Sequence, residues 1–236
     1  MSEIIQRRTL VTAHSGPDGT PDNSLENIEY VLGTKADAME LDVRKDPQGE
    51  LVLSHDEVTE KDAALTLERA FQVISQHPTM KINCDLKEGN LEREVYELGR
   101  AFQLQDRLIY SGAADPENCR QLPISLYLNL EYFLDSTTSL ATQIRTLETA
   151  TRQEVREFLE SCLAKLPLLK ARSLNMHYCV FDKAFASNED AMAYAFSLWT
   201  VDDANTIKRY LDRGVQAITT RKLRCALDLE DSMKMH

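Results

Sequence analysis

Short apolar runs alternate with longer segments of mixed polarity along most of the chain. Eight of the runs have the length and composition of buried strands, and they predict strands at residues 10–14, 38–44, 81–87, 107–111, 124–130, 174–178, 195–201 and 215–220. Between them, apolar residues with helical spacing or polar-faced stretches predict helices at 25–32, 65–74, 91–102, 116–121, 139–166, 188–194 and 204–213. Asn23 and Ser24 are suitable N-caps for the first helix, and Gly33 and Gly214 end two of the helices.

Eight alternations of strand and helix favour a closed (β/α)8 barrel, also called a TIM barrel, with its helices packed around a parallel sheet. No linker of domain size interrupts the pattern, so a single domain over residues 1–236 is predicted. An open doubly wound sheet is the alternative, because a count of elements cannot establish closure.

One short turn breaks the alternation. Asp46-Pro-Gln-Gly49 separates the strand at 38–44 from a further strand at 50–54. A turn of this length must return the chain antiparallel, because a parallel crossover needs about a dozen residues. The resulting hairpin would bring His55 back toward the strand at 38–44, and His14 would arrive from the adjacent first strand.

The strand at 38–44 carries two carboxylates, Glu40 and Asp42, at a spacing of two. Alternate residues of a strand point to the same face, so these like charges would be neighbours unless a cation lay between them. A divalent cation is one solution, and an ion pair of one acid with a nearby Lys or Arg is the other. The same choice holds for Asp85, whose same-face neighbour in its own strand is Lys87.

Composition excludes several classes of function. The formal net charge of −11 argues against a nucleic-acid-binding face and against attraction to anionic membranes. No apolar run approaches the roughly 20 residues that cross a bilayer, and the N-terminus lacks an apolar leader. Five cysteines without a Cys-x-x-Cys spacing are typical of reduced thiols, so a cytoplasmic protein is predicted.

Several motifs in order resemble the glycerophosphodiester phosphodiesterase family: His14-Ser-Gly, Pro21-Asp-Asn-Ser24, Glu40-Leu-Asp-Val43, Leu51-Val-Leu-Ser-His-Asp56, Asn83-Cys-Asp-Leu-Lys87, Trp199-Thr-Val-Asp202 and the segment 214–220. The resemblance covers nearly the whole chain, and the fold that it implies is the same barrel. It implies metal-dependent hydrolysis of a small-molecule phosphodiester substrate.

The resemblance also assigns roles to residues. Glu40, Asp42 and Asp85 would hold one divalent cation, Mg²⁺ or Ca²⁺, through oxygen ligands. His14 and His55 would be the general acid and base, since imidazole titrates near working pH, although a lone His at a strand end is more often structural. The remaining assignments are Lys87 to a phosphate oxygen, Trp199 to the alcohol moiety, and Asp56 to orienting a ring or capping its loop.

The chain departs from the family at four places. Ser15 stands where the family has an Arg that contacts phosphate, and Arg44 is the predicted replacement because it lies two residues beyond Asp42 on the same strand face. Asp22 and Asp85 each stand where the family usually has Glu. After His55-Asp56 the family usually inserts a subdomain, whereas here about ten residues precede the next helix, which predicts a more open site.

Two alternative functions remain. A sphingomyelinase D-like phospholipase or lyase acting on lysophospholipids would account for Ser15 and Asp85, but its Cys-containing loop is absent from residues 57–61. A non-catalytic phosphodiester-binding relative would account for the missing Arg, yet it would not need two histidines and three acids. The nucleophile, either a substrate hydroxyl or water, and the oligomeric state are left open. His77, His177 and His236 are interpreted as structural or surface residues.

Overall fold

Residues 8–60, 63–134, 149–185 and 195–234 are described by the structure, which is a computed structural model. The strands are β1 (Leu10–Ala13), β2 (Ala38–Lys45), β3 (Leu51–Leu53), β4 (Leu65–Thr66), β5 (Lys81–Leu86), β6 (Leu108–Gly112), β7 (Ser125–Asn129), β8 (Ser173–His177), β9 (Phe196–Trp199) and β10 (Ala217–Thr220). The helices are α1 (Leu25–Leu32), α2 (Leu67–Ile74), α3 (Glu92–Ala101), α4 (Pro116–Cys119), α5 (Arg152–Lys165), α6 (Tyr178–Ala184), α7 (Ala204–Arg213) and α8 (Leu223–Lys234).

Eight of the strands close into a parallel barrel. Their order is β1, β2, β5, β6, β7, β8, β9 and β10, and β1 pairs in parallel with both β2 and β10, which joins the two ends of the sheet. The predicted (β/α)8 fold is therefore confirmed, and the open sheet is excluded. The carboxyl ends of all eight strands meet at one end of the barrel, which we call the mouth; the opposite end we call the base.

The predicted hairpin lies at the edge of the barrel. Strand β3 pairs antiparallel with β2, with Val43 opposite Leu53, and Gly49 supports the turn with a φ of +84°. A two-residue strand, β4, then pairs antiparallel with β3, so only residues 54–64 separate the hairpin from the next element. This short connection agrees with the absence of a family insertion predicted from sequence.

The hydrophobic pattern explains how helices and strands pack together. On β2 the alternate residues Met39, Leu41 and Val43 are buried in the core that lies between the strands and the helices. The barrel interior is more polar, because the intervening positions carry side chains such as Glu40 and Asp42. Each strand therefore has one face that stabilises the fold and one that can present chemistry at the mouth.

Several predicted boundaries differ from the observed ones. The helix predicted at 65–74 begins at Leu67, because the Thr66 side chain accepts a hydrogen bond from the backbone N–H of Arg69 and caps it. Of the two predicted caps, Ser24 caps α1, whereas Asn23 has a left-handed φ of 53°. The sixth barrel strand ends at His177, because Tyr178 begins α6.

Two further helices differ from expectation. Helices α6 and α8 were not predicted, and residues 139–148 and 188–194, where helical structure is predicted, lie outside the described residues. None of the helices within the described ranges has both the length and the apolar character needed to cross a lipid bilayer.

Candidate active site

The three predicted acids come from two adjacent strands at the mouth. Asp42 on β2 and Asp85 on β5 are direct partners in the parallel register, and Glu40 lies one inward-facing position below Asp42. The Lys87 ammonium bridges the first two: its Nζ is 2.8 Å from Asp42 Oδ1 and 2.5 Å from Asp85 Oδ2. The ion pair that the sequence offered as the alternative reading of Asp85 is thus present.

Burial and neighbouring charges shift the pKa values of Glu40 and Asp42 in opposite directions. Burial, with Asp85 and Asp42 nearby, raises the pKa of Glu40 well above its ordinary value. Burial acts on Asp42 in the same direction, but the ion pair with Lys87 and hydrogen bonds from Asn23 and Ser15 outweigh it and lower the pKa of Asp42. For Lys87, burial opposes the charged form, and the two acids more than compensate, so its pKa is raised. Glu40 is therefore the acid without an adequate counter-charge.

His14 follows β1 directly and turns its ring toward Glu40. Its Nε2 is 3.8 Å from Glu40 Oε1, and its Nδ1 is 3.0 Å from Ser15 Oγ. Ser15 itself is buried behind the ring. Burial, followed by the charge of Arg221, lowers the pKa of His14, so the imidazole is neutral near pH 7.

His55 follows the β3 strand and is much more exposed than His14. Two-thirds of its side chain is exposed (67%), and its Nδ1 is 2.8 Å from Asp56 Oδ1. Asp56 is almost fully exposed, and its backbone carbonyl accepts a hydrogen bond from Ser54 Oγ at 2.8 Å. Arg44 donates a hydrogen bond from NH1 to the backbone carbonyl of His55 at 3.1 Å, which ties the hairpin to β2.

One cavity of about 550 Å³ at the mouth collects most of the predicted residues. Its lining comprises His14, Glu40, Asp42, His55, Asp85, Leu86, Lys87, Gly112, Ala113, Asn129, Glu131, Asn175, Trp199 and Thr200. Three predicted site residues are not part of this lining: Ser15 lies behind His14, Arg44 contacts the hairpin, and Asp56 points to solvent.

Solved structures of other proteins resemble this fold. The crystal structure of a glycerophosphodiester phosphodiesterase from Parabacteroides distasonis superposes with a TM-score of 0.71 at 20% identity, covering 97% of this chain and 99% of that one. A phosphodiesterase from Oleispira antarctica, solved in complex with the product sn-glycerol-3-phosphate, has a TM-score of 0.66 at 20% identity and covers 95% and 97% of the two chains. The chain has the glycerophosphodiester phosphodiesterase fold.

Sequence similarity to this family is partial. A glycerophosphodiester phosphodiesterase of Bacillus altitudinis is 27% identical over 44% of this chain and 57% of the relative, so the match spans little more than half of the relative's length. No family model matches the chain. The resemblance drawn from the motifs is nevertheless confirmed, in fold along nearly the whole chain and in sequence over part of it.

Trp199 lies on the side of the cavity opposite the acids. Its indole nitrogen is 3.2 Å from the side-chain amide of Asn175, which holds the ring in place. The His177 ring packs edge-on against it, with 5.5 Å between ring centroids. His177 also accepts a hydrogen bond from the backbone N–H of Cys179, so this histidine has structural partners beside the site.

Asn23 and Glu131 were not among the site residues predicted from the sequence. Asn23 forms two hydrogen bonds with Asp42. Its Nδ2 donates to Asp42 Oδ2 at 2.7 Å, and its Oδ1 accepts from the Asp42 backbone N–H at 3.1 Å. Glu131 follows β7 and lines the cavity, and its Oε2 is buried without a hydrogen-bond partner among the described residues. Burial, with a smaller effect of Asp85, raises the pKa of Glu131. An acid just beyond a predicted strand was the signal for Glu131, whereas a loop Asn gives no comparable signal.

The donor chemistry of the mouth fits a hard divalent cation. Three carboxylates could supply oxygen ligands, and the pKa of Glu40 is raised first by its burial and then by the negative charges of Asp85 and Asp42, which Lys87 only partly offsets. The spacing is not preformed, however: in the described ranges, no three side chains of His, Cys, Asp or Glu are grouped closely enough to hold a metal ion. The Lys87 ammonium lies between two of the three acids instead.

Proposed function

We propose that this chain is a single catalytic domain that hydrolyses glycerophosphodiesters or related phosphodiesters with the help of a divalent cation. The observation that carries the proposal is that the two predicted imidazoles and the three predicted carboxylates line one cavity at the mouth, where barrel enzymes hold their reactive groups. The relatives named above, one of them bound to a glycerol phosphate product, support the choice of substrate.

His14 is proposed as the general base. The Ser15 hydroxyl hydrogen-bonds to Asp42, so its oxygen is available to accept from Nδ1–H of the imidazole. This arrangement leaves the lone pair of Nε2 facing the cavity, where it can take the proton of the attacking hydroxyl or water. The lowered pKa of His14 keeps the ring neutral and ready for that role.

His55 is proposed as the general acid. Asp56 accepts a hydrogen bond from Nδ1–H, which orients the ring and leaves Nε2 to protonate the leaving alkoxide. The exposed position of His55 on the hairpin lets it approach a substrate from the solvent side.

Glu40, Asp42 and Asp85 would hold one Mg²⁺ or Ca²⁺ ion. A bound divalent cation supplies positive charge next to the phosphate oxygens, where negative charge increases during attack. Lys87 supplies positive charge from the chain itself, and Trp199 offers an apolar wall for the alcohol moiety. The five cysteines are all unpaired, which suits the cytoplasm as the proposed location.

The test is turnover of glycerophosphocholine, a lysophospholipid and an aryl phosphodiester, each with Mg²⁺, with Ca²⁺ and with a chelator. We expect cation-dependent turnover that His14→Ala lowers by about 100-fold or more, as loss of a general base does. His77→Ala, at the base of the barrel, is the matched control and should retain activity. No turnover above His14→Ala on any substrate would reject the proposal, and a cyclic phosphate product would indicate a lyase.

A further inference from the structure

The cavity has little positive charge for a substrate that is itself an anion. Glu40, Asp42, Asp85 and Glu131 line it, and Lys87 is the one Lys or Arg among its described lining residues. With a divalent cation bound as proposed, four carboxyl groups face one ammonium and two cationic charges, which leaves no large surplus of positive charge. A phosphodiester brings a further negative charge, and like charges repel strongly in a partly buried site. Binding the phosphate therefore calls for a further cation from the chain.

Two of the nearby cations are already engaged. Lys87 contacts both Asp42 and Asp85, so its ammonium is shared between two acids before any substrate arrives. Arg44, the replacement predicted from the sequence, donates a hydrogen bond to the backbone carbonyl of His55. Its contact holds the hairpin rather than the substrate.

Arg221 lies beside His14 across the β1–β10 strand pair. Ala13 and Thr220 are partners in that register, so His14, which lines the cavity, and Arg221, which lies next to it, directly follow the ends of neighbouring strands. The backbone N–H of His14 donates to the Thr220 carbonyl at 3.0 Å, which fixes this alignment. The charge of Arg221 also contributes to lowering the pKa of His14, as expected for a guanidinium at short range.

The guanidinium already binds a planar pair of anionic oxygens. Its NH1 and NH2 donate to the two carboxylate oxygens of Asp22 at 2.8 and 2.9 Å, and NH1 also contacts the Gly16 carbonyl at 3.3 Å. Two phosphate oxygens can accept from the same fork in the same way. The side chains of Arg221 and Asp22 are 39% and 49% exposed, so this ion pair adds little stability and can be exchanged.

We propose that Arg221 binds the phosphate group of the substrate, exchanging its bidentate contact with Asp22 for two phosphate oxygens. This inference rests on the proposed function, because it takes the phosphate to lie beside His14. It gives Asp22 the role of a substrate mimic that keeps the guanidinium at the mouth until an anion enters.

The test compares Arg221→Met, Arg221→Lys and Asp22→Asn with Arg224→Met as the matched control. Arg224 lies three residues further along the chain, at the start of α8, and its Nε donates to the Tyr30 hydroxyl, away from the cavity. Steady-state kinetics on an aryl phosphodiester and calorimetric binding of sn-glycerol-3-phosphate are measured for each variant. Losing two charge-assisted hydrogen bonds should raise KM and weaken binding by about 10- to 100-fold in Arg221→Met. Arg221→Lys should fall between, and Asp22→Asn should lower KM by a few-fold.

Equal KM and equal binding in Arg221→Met and Arg224→Met would overturn the inference, while turnover by the native protein would leave the proposed function standing. If the native protein turns over no substrate, the binding arm decides: loss of sn-glycerol-3-phosphate binding in Arg221→Met alone supports the role of Arg221, and unchanged or absent binding rejects it. Asp22→Asn distinguishes the exchange of Asp22 for phosphate at Arg221 from general misfolding, because a misfolded variant would not have a lower KM.

Discussion

The base and the mouth of the barrel treat charge in opposite ways. At the base, Arg8 pairs with Asp37 at 3.0 Å and with both oxygens of Glu230, and Lys234 adds a further contact to Glu230 at 3.3 Å. At the mouth, four carboxylates share the cavity with Lys87. The same barrel thus closes one end with matched ion pairs and leaves the other with surplus negative charge.

The pKa directions reflect this difference. Burial opposes ionisation of Glu230, but its ion pairs prevail and its pKa is lowered. Burial and two neighbouring acids raise the pKa of Glu40. A carboxylate that favours the folded state when charged contributes to stability, whereas one that is penalised by folding needs another reason to be there. In a barrel the second kind is expected at the mouth, because reactive groups collect there.

The largest expected effect comes from neutralising one buried acid at each end. Without divalent cations at pH 7, Glu40→Gln should raise the free energy of unfolding by about 1 to 3 kcal/mol, because the folded state no longer buries a disfavoured charge. Glu230→Gln should lower it by about 1 kcal/mol, since it removes the partner of a half-exposed Arg8. Urea unfolding followed by circular dichroism measures both.

The same pair of variants separates stability from function. Glu40→Gln should lose turnover and should also lose any rise in melting temperature that Mg²⁺ or Ca²⁺ produces in the native protein, because one of the three proposed carboxylate ligands is gone. Glu230→Gln should keep both. A destabilised Glu40→Gln protein, or one that still responds to the cation, would contradict the distinction between the two ends.

Much of the fold could be predicted from the sequence, because the strands and helices of a barrel follow local sequence patterns. Short apolar runs identified all eight barrel strands, and the short turn at 46–49 identified the hairpin. The two-residue β4 was missed because two residues are too few for a periodic pattern. Helix α6 was missed because it begins directly after β8, so strand and helix run together without a turn signal.

The placement of the candidate site residues could be predicted where they follow strand ends, but not where it depends on loops. His14, Glu40, Asp42 and Asp85 lie at the mouth because their strands end there, whereas their proposed roles rest on the family resemblance. Asn23 could not be predicted as a partner of Asp42, because its left-handed φ of 53° and the path of its loop arise only in the folded chain. Arg221 required the register between the first and last barrel strands, a contact between residues more than 200 apart in sequence.

A smaller effect is expected when acid protonates Glu230 in the ion pairs at the base of the barrel. Because the folded pKa of Glu230 is depressed, its stabilisation is present above the unfolded value of about 4.3 and is lost as pH falls through the folded value. The difference in unfolding free energy between the native protein and Glu230→Gln should therefore be constant near neutral pH and shrink below about pH 4.3. Asp228→Asn, at an exposed position of the same helix, is the control. A difference that grew on acidification would show that Glu230 is not held by its cations.

The smallest expected effect compares two buried serines, one at each end. Ser15 Oγ lies 3.0 Å from Nδ1 of His14 at the mouth, whereas the Ser173 hydroxyl at the base is buried without a hydrogen-bond partner among the described residues. Ser15→Ala should lower kcat by about 2- to 10-fold with little change in KM. One hydrogen bond that orients His14, the proposed general base, contributes about 0.5 to 1.5 kcal/mol. Ser173→Ala should leave kcat unchanged and hold or raise stability, because it removes a hydroxyl that is buried without compensation. If both variants lost activity equally, the orienting role of Ser15 would be wrong and general sensitivity of the barrel interior would explain the loss.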